Sequence, residues 1–390
     1  MSKIPPANQL INTDFKIGIL GGGQLGKMLA LAAANWDVQI HILDKDPSFP
    51  AGSTCSKFVT GDFNNYDDVY QFGKDMDVLT IEIEHVNTEA LLQLEKEGKV
   101  IHPSPTALNI IKDKGLQKAF YQAQELPTAP FKLYESGAAI KAAITDGQQS
   151  LPFVQKTRTA GYDGKGVAVI RQNTDLDKIL DAPSIIEPLV DIKKEIAVIV
   201  AQRPSGQIEA FPAVEMTFNQ EANLVEFLLC PADISPAIAA EAEQLARSVI
   251  DRLGLCGLLA VELFLTQDDR ILINEVAPRP HNSGHHTIDS CYTSQFEQHL
   301  RAIMDLPLGS TKTKMAAVMV NLLGAPDHQG AARYQGLTNC LAVEGSKIHL
   351  YGKSVTKPYR KMGHATLLAP TLETAMQNAK FIQQHLKITT

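Results

Sequence analysis

The run Lys16 to Leu20 (KIGIL) passes directly into Gly21-Gly22-Gly23-Gln24-Leu25-Gly26 and then into the helix-forming stretch Lys27 to Ala34. Apolar run, glycine cluster and Ala/Leu-rich segment together spell strand, tight turn and helix. Two more apolar runs follow, Val38 to Leu43 (VQIHIL), ending at Asp44, and Val78 to Ile83 (VLTIEI), ending at Glu84. A chain that alternates strand with helix has few folds open to it. The expected one is a parallel, doubly wound α/β sheet with ligands at the carboxyl ends of its strands, over residues 1 to about 115.

Beyond it the pattern is helical from Ala107 to Ala123, until Pro127 and Pro130 break it. Phe153 to Thr157 (FVQKT) and Val167 to Ile170 (VAVI) then read as a hairpin around a glycine-rich tip, and the runs Ile185 to Val190 and Glu195 to Ala201 continue a strand-rich region. A helix is expected from Ala237 to Leu253, then the hairpin GLLAVELFLTQDDRILINEVAPRP, and a last helix near Leu372 to Leu386. The 390 residues leave room for two or three domains.

With 36 Lys plus Arg against 43 Asp plus Glu, the net charge is −7. A surface built for nucleic acid or anionic membrane is therefore not expected, and any bound anion must meet a local cluster of cations. The five cysteines, at 55, 230, 256, 291 and 340, form no CxxC pair. Together with the lack of an apolar run of signal-peptide or bilayer-spanning length, they point to a cytoplasmic protein.

The first glycine cluster fits G-x-G-x-x-G, with Asp44 about where a ribose-binding acid would stand. With Lys27 it nearly spells a P-loop, but Met28 has no hydroxyl to offer a metal. Its backbone N–H groups would suit the phosphate of a small molecule, or it is only a tight turn. The second cluster, Arg158 to Gly166, has a cation at each end and Lys156 on the strand before it. It is either a phosphate-covering flap or a flexible hairpin.

The segment Gly257 to Pro280 is the most informative. A turn at Asp268-Asp269 sets Glu262 opposite Glu275, and like charges about 5 Å apart are unfavourable unless a cation bridges them. Hard oxygen donors without His or Cys suit magnesium, with Asn274 beside them; two solvated glutamates are the plainer alternative. Next come Arg279-Pro280-His281-Asn282-Ser283-Gly284-His285. A zinc pair of His281 and His285 is disfavoured by the proline and glycine, whereas Arg279 and His281 could both donate to a small oxyanion. Late in the chain, Lys353, Lys357, Arg360 and Lys361 gather as a solvated basic surface or a phosphate-monoester site.

Taken in order, GGGQLG, EIEH, AGYDGKG, the paired glutamates with INEVAPRPHNSGH, and YGK with RKMGH resemble the N5-carboxyaminoimidazole ribonucleotide synthetase family, ATP-grasp carboxylases of purine biosynthesis. The resemblance implies a Rossmann-like pre-ATP-grasp domain over 1–115, an ATP-grasp domain over 116–310 (small lid about 116–185, larger sheet about 186–310) and a C-terminal domain over 311–390. Lys114 and Lys156 would contact the phosphates of ATP, Gly161, Tyr162, Asp163, Gly164, Lys165, Gly166 and Val167 would close over them, Glu187, Pro188, Leu189 and Val190 would hold adenine, and Glu195 the ribose. Glu262 and Glu275, with Asn274, would carry Mg2+. The substrate 5-aminoimidazole ribonucleotide would lie against Gln24, Leu25, Glu84, Tyr162, Asp163, Lys165 and Asn282, its 5′-phosphate on Lys353, Arg360 and Lys361. Bicarbonate would meet Arg279 and His281; these two and Lys353 would stand nearest the chemistry.

The resemblance further implies a cytoplasmic homodimer. Two departures stand out: Lys114 where the family usually has Arg, which loses the bidentate fork, and Phe218 where it often has a nucleotide-contacting His. The rival readings are a sister ATP-grasp enzyme that formylates glycinamide ribonucleotide with formate, against which HNSG speaks, and an NAD-dependent dehydrogenase resting on the first glycine cluster alone.

Overall fold

The computed structural model describes residues 14–159, 161, 166–219 and 224–390. Its first sheet holds β1 (Lys16–Leu20), β2 (Gln39–Asp44), β3 (Lys57–Thr60), β4 (Val78–Ile81) and β5 (Val100–Ile101), ordered β3-β2-β1-β4-β5. Every pairing in it is parallel, as the alternation of strand and helix requires. The crossovers carry α1 (Gln24–Ala33), α2 (Tyr66–Lys74) and α3 (Thr88–Lys96).

The helix expected over Ala107 to Ala123 is two helices, α4 (Pro105–Lys112) and α5 (Lys114–Ala123). Asp113 between them is extended, at φ −118° and ψ 112°, and its carboxylate accepts the N–H groups of Gly115 and Leu116. The Arg158 guanidinium holds the same carboxylate at 2.7 Å. An N-cap in mid-pattern has stopped one helix and started the next, which puts Lys114 on a helix start.

A four-stranded sheet follows, ordered β6-β9-β7-β8, from β6 (Lys132–Tyr134), β7 (Phe153–Thr157), β8 (Val167–Ile170) and β9 (Ser184–Pro188), with α6 (Gly137–Thr145) after β6. The expected hairpin is present, Phe153 opposite Ile170 and Lys156 opposite Val167.

The large sheet begins with β10 (Ile192–Gln202), β11 (Ile208–Ala210), β12 (Val214–Asn219) and β13 (Leu224–Cys230). It continues, after α7 (Pro236–Leu253), with β14 (Gly257–Thr266) and β15 (Ile271–Ala277). The short α8 (Thr287–Ser290) and α9 (Gln295–Ile303) lead to β16 (Ala316–Leu323). Two small ladders pair β17 (Gly330–Ala331) with β20 (Val355–Thr356), and β18 (Arg333–Gln335) with β22 (Lys387–Thr389). Between them lie α10 (Leu337–Leu341), β19 (Ser346–Leu350), β21 (Lys361–Ala369) and α11 (Leu372–His385).

The order β15-β14-β10-β12-β13-β16-β21-β19, with β11 beside β10, shows that residues after 311 extend the same nine-stranded sheet. The first sheet is also joined to it through a shared core. Phe296, Leu300 and Ile303 of α9 pack in one buried cluster with Ile17, Ile19, Leu29 and Tyr351. Among the described residues, no helix is long and apolar enough to cross a membrane.

Candidate active site

The β14–β15 hairpin builds the centre of the site. Its turn runs from Thr266 to Arg270, with Asp269 left-handed at φ 60°, and pairs Leu265 with Ile271, Phe264 with Leu272 and Leu263 with Ile273. Continued regularly, that register would set Asn274 opposite Glu262. The register shifts there, and Glu262 faces Glu275. The expected pair is therefore right for a different reason: a bulge at Asn274, not a two-residue turn, aligns the carboxylates and sets Asn274 beside them.

Burial, then the charges of Glu275 and Glu195, push the Glu262 carboxyl up to about 8. Burial acts on Glu275 in the same sense, but Lys114, Lys156 and Arg279 outweigh it and hold Glu275 below the usual carboxylate range. The Lys114 ammonium sits on Glu275 itself. Two facing carboxylates, one of them costly to ionise, with an amide oxygen alongside, form a donor set that fits a hard divalent cation such as magnesium. Zinc does not fit: the described residues hold no cluster of three or more His, Cys, Asp or Glu able to hold a metal, and His285 Nδ1 is taken up by Gln295.

Lys156 Nζ donates to Asn274 Oδ1 at 2.8 Å and lies 2.7 Å from Glu187 Oε2. The other oxygen of Glu187 is held by Lys118, which also donates to Thr128 Oγ1 at 2.6 Å. Burial favours the neutral carboxyl of Glu187, yet the two ammonium groups keep it below its ordinary value. This carboxylate is only 4% exposed, so a purine at this hinge would meet main chain and apolar side chains instead. Pro188, Leu189, Val190, Thr128 and Leu272 line a cleft of about 510 Å³ together with the polar Asp191, Gln267, Asp268 and Arg270. Glu195 stands on β10 opposite Phe264, its carboxyl raised by burial and by Glu275 against the pull of Lys156. Gly166 is left-handed at φ 79° and leaves no room for a Cβ against Thr157 Oγ1. Gly161 and Val167 flank the tip of the loop; Tyr162, Asp163, Gly164 and Lys165 lie outside the described residues.

The first glycine cluster is corrected by the structure. Glu82 accepts the N–H groups of Gly23 and Gly26, and Asp44 accepts that of Gly22 at 2.7 Å. The donors expected for a phosphate are thus taken by carboxylates of the chain, and Asp44 braces the turn where a ribose acid was considered. Burial raises the Glu82 carboxyl, with the two glycine N–H groups opposing. Lys27 donates to Leu350 O and Tyr351 O at 3.2 Å each, tying α1 to the C-terminal strands.

Gln24 and Leu25 open α1 beside this turn. Glu84 lies 2.8 Å from the Arg279 guanidinium. Asn282 exchanges two amide hydrogen bonds with Asn321 of β16, at 2.8 and 3.1 Å. Lys353 donates to Lys361 O at 2.7 Å and Arg360 to Val355 O at 2.6 Å, so the late cations share one hairpin region. Phe218 is packed on β12 against an apolar cluster with Val225. His281 is held far below its ordinary value, at about 3, by burial and then by Arg279 and Lys361. Its ring is neutral. Ser283 N–H and Oγ face Nδ1 at 3.4 and 2.9 Å, which leaves the proton on Nε2, 3.6 Å from Glu262 Oε1.

Sequence reasoning missed Lys118 and Asn321, weighed Lys27 only as part of a near P-loop, and met Glu82 only as the first residue of the EIEH motif. Lys118 follows Lys114 by one helical turn on α5, a spacing that marks a shared face; Asn321 carries no local signal at all.

Family models match residues 15–112 as a ribonucleotide synthetase preATP-grasp domain, 119–296 as an ATP-grasp domain and 317–378 as a phosphoribosylaminoimidazole carboxylase C-terminal domain. The N5-carboxyaminoimidazole ribonucleotide synthase of Synechococcus elongatus is 37% identical, over 94% of each chain. The phosphoribosylaminoimidazole carboxylase of Candida glabrata is 36% identical over 94% of this chain, which spans only 65% of that relative's length. Among solved structures, the Thermotoga maritima synthetase superposes with a TM-score of 0.89 at 40% identity, covering 96% of this chain and 99% of its own. The Aspergillus clavatus synthase in complex with ADP and 5-aminoimidazole ribonucleotide gives 0.86 at 34%, over 96% and 99%. With its three matched regions in order and 37% identity over 94% of each chain to the Synechococcus elongatus relative, the chain belongs to the N5-carboxyaminoimidazole ribonucleotide synthase family of ATP-grasp proteins.

Proposed function

We propose that this protein carboxylates 5-aminoimidazole ribonucleotide at its exocyclic amine, using ATP and bicarbonate, to give N5-carboxyaminoimidazole ribonucleotide for purine synthesis. The observation that carries the reading is the cluster of Glu262, Glu275, Asn274, Lys114 and Lys156 beside His281, whose Nε2 lies 3.6 Å from Glu262 Oε1, and Arg279, whose charge acts on Glu275. Polyphosphate chemistry and a small-oxyanion site are thereby adjacent.

In this reading a bicarbonate oxygen attacks the γ-phosphorus, the bond to the ADP oxygen breaks, and carboxyphosphate forms. The ribonucleotide amine then attacks its carboxyl carbon, phosphate leaves and the amine loses a proton. Magnesium bound at Glu262 and Glu275 would neutralise charge on the phosphates. Lys156, fixed by Asn274 and Glu187, and Lys114, which trades Glu275 for phosphate, supply point charges along the transferring group. Arg279 and the Nε2–H of neutral His281 are donors for the carboxylate oxygens. Lys353, Arg360 and Lys361 take the ribonucleotide 5′-phosphate, Gln24, Leu25, Glu84 and Asn282 its remaining face, and Glu195 the ribose of ATP. Tyr162, Asp163 and Lys165, which lie outside the described residues, belong to the same reading as further contacts of ATP and the ribonucleotide.

The unit boundaries go with this reading: 1–115 for the ribonucleotide, 116–310 for ATP, and 311–390 returning cations to the first unit's ligand. A cytoplasmic homodimer is part of the same proposal, in keeping with five free thiols.

The test is ADP release coupled to incorporation of labelled bicarbonate. Turnover should require ATP, magnesium, bicarbonate and the aminoimidazole ribonucleotide together. Dependence on formate and glycinamide ribonucleotide instead would replace the reading with the sister formylating enzyme.

A further inference from the structure

Gln295 opens α9, outside every motif that marks the site, and its side chain is fully buried. Its carboxamide lies along the main chain of the loop after β15. Oε1 accepts the N–H of His281 at 2.9 Å, and Nε2 donates to the C=O of the same residue at 2.8 Å. The second Nε2 hydrogen faces His285 Nδ1 at 3.0 Å. One side chain thereby makes with His281 the pair of bonds that a neighbouring strand would make.

The clamp is itself clamped. The N–H of Gln295 donates to Thr287 Oγ1 at 2.8 Å, whose hydroxyl donates to Gly284 O at 2.6 Å. A Cβ on Gly284 would collide with the Gln295 carboxamide, so the glycine of HNSGH is the space that the amide fills. His281 has one N–H to offer, on Nε2, and where it points follows from where its main chain is held.

We propose that Gln295 is a positioning residue for the reaction: it fixes the main chain of His281 so that Nε2–H and the nearby Arg279 converge on bicarbonate. This rests on the function proposed above, through the role of His281. An amide is required because the site needs one acceptor and two donors in a plane, which no other side chain of this size provides.

Gln295→Leu keeps the bulk and removes all three bonds. It should raise the KM for bicarbonate on the order of ten- to a hundredfold, the scale of a small misplacement of a reacting group, while KM for ATP changes less than about twofold. More ADP should also be released per carboxylated product. Gln295→Glu separates positioning from packing. Its carboxylate only accepts, but once protonated it makes both bonds to His281 again, so its bicarbonate KM should recover toward the unsubstituted protein's as the pH falls from about 8 to about 6. Gln295→Leu should show no such recovery. The titratable groups facing this amide are His281 and His285; Tyr351 and His364 stand beyond His285, and the Lys361 charge acts on both loop imidazoles.

If Gln295→Leu does not fold, Gly284→Ala displaces the amide in place and should reproduce the loss of coupling. Unchanged bicarbonate KM and coupling with only a lower Tm, or a Gln295→Glu defect that ignores pH, overturns the inference. The unsubstituted protein is assayed first. If it needs no bicarbonate, the proposed function falls; if it does and the variants stay tightly coupled, only the role of Gln295 falls.

Discussion

Arg279 Nε stands 2.8 Å from Glu84 Oε1, at side-chain exposures of 21% and 18%, across the seam between the first sheet and the large one. Without substrates, the donor proposed for bicarbonate is neutralised by the carboxylate proposed for the ribonucleotide. Glu84→Gln should therefore raise the KM for ribonucleotide roughly ten- to a hundredfold, matching about 1.5–3 kcal/mol for a hydrogen bond to a charged group. Varying each substrate in turn checks this. An equal rise in the KM for ATP would mean that the pair serves the whole seam instead.

The carboxylate pair predicts a pH-dependent stability. Glu262 has its folded pKa raised from 4.5 to about 8, so its contribution is complete below the unfolded value and is lost as pH rises through the folded one. In chelator, Tm should fall from about pH 5 to about pH 8 by a few degrees more than in Glu262→Gln. Magnesium should raise Tm more at the upper pH than at the lower. A magnesium shift equal at both, read by scanning calorimetry, would remove Glu262 from the metal site.

Lys118 is 2% exposed and holds one oxygen of Glu187. Lys118→Met leaves that buried carboxylate with Lys156 alone and should cost about 1–3 kcal/mol, because one of its two oxygens loses its charged partner while the other keeps it. Urea denaturation measures it. Adding Glu187→Leu should restore part of the loss, and a purely additive double variant would contradict a direct pairing.

Glu82 accepts two glycine N–H groups at the start of α1. Glu82→Ala leaves both without a partner, at about 1–3 kcal/mol for each buried group. A titration should still detect no nicotinamide dinucleotide. Appearance of tight dinucleotide binding in the variant would mean that the glycine turn is a nucleotide site which Glu82 blocks.

Much of this was legible because it is local. Alternating strands and helices and the FVQKT–VAVI hairpin each follow from spacing along one stretch of chain; the opposed glutamates lie on such a stretch too, but the bulge at Asn274 that brings them face to face is not visible in the spacing. The first glycine turn misled for the same reason, since what occupies its N–H groups comes from Glu82, 56 residues beyond Gly26. Gln295 and Asn321 were illegible because they act through main chain or amide pairing across the fold, which leaves no period. The break at Asp113 was visible in principle as a capping residue, yet the apolar pattern ran through it.

The continuity of the nine-stranded sheet has a consequence for anyone who would trim this chain. Strands β16, β21 and β19 are stitched in turn to β13 by main-chain hydrogen bonds, so the residues after 311 are not an appendage. A chain cut near residue 310 would strip the covering from one border of the sheet and leave β13 offering a bare ladder to any passing strand. The same stitching makes the sheet a ruler: Glu262 and Lys361 are graduations on it, and the span between the two cannot alter without shearing the intervening strands.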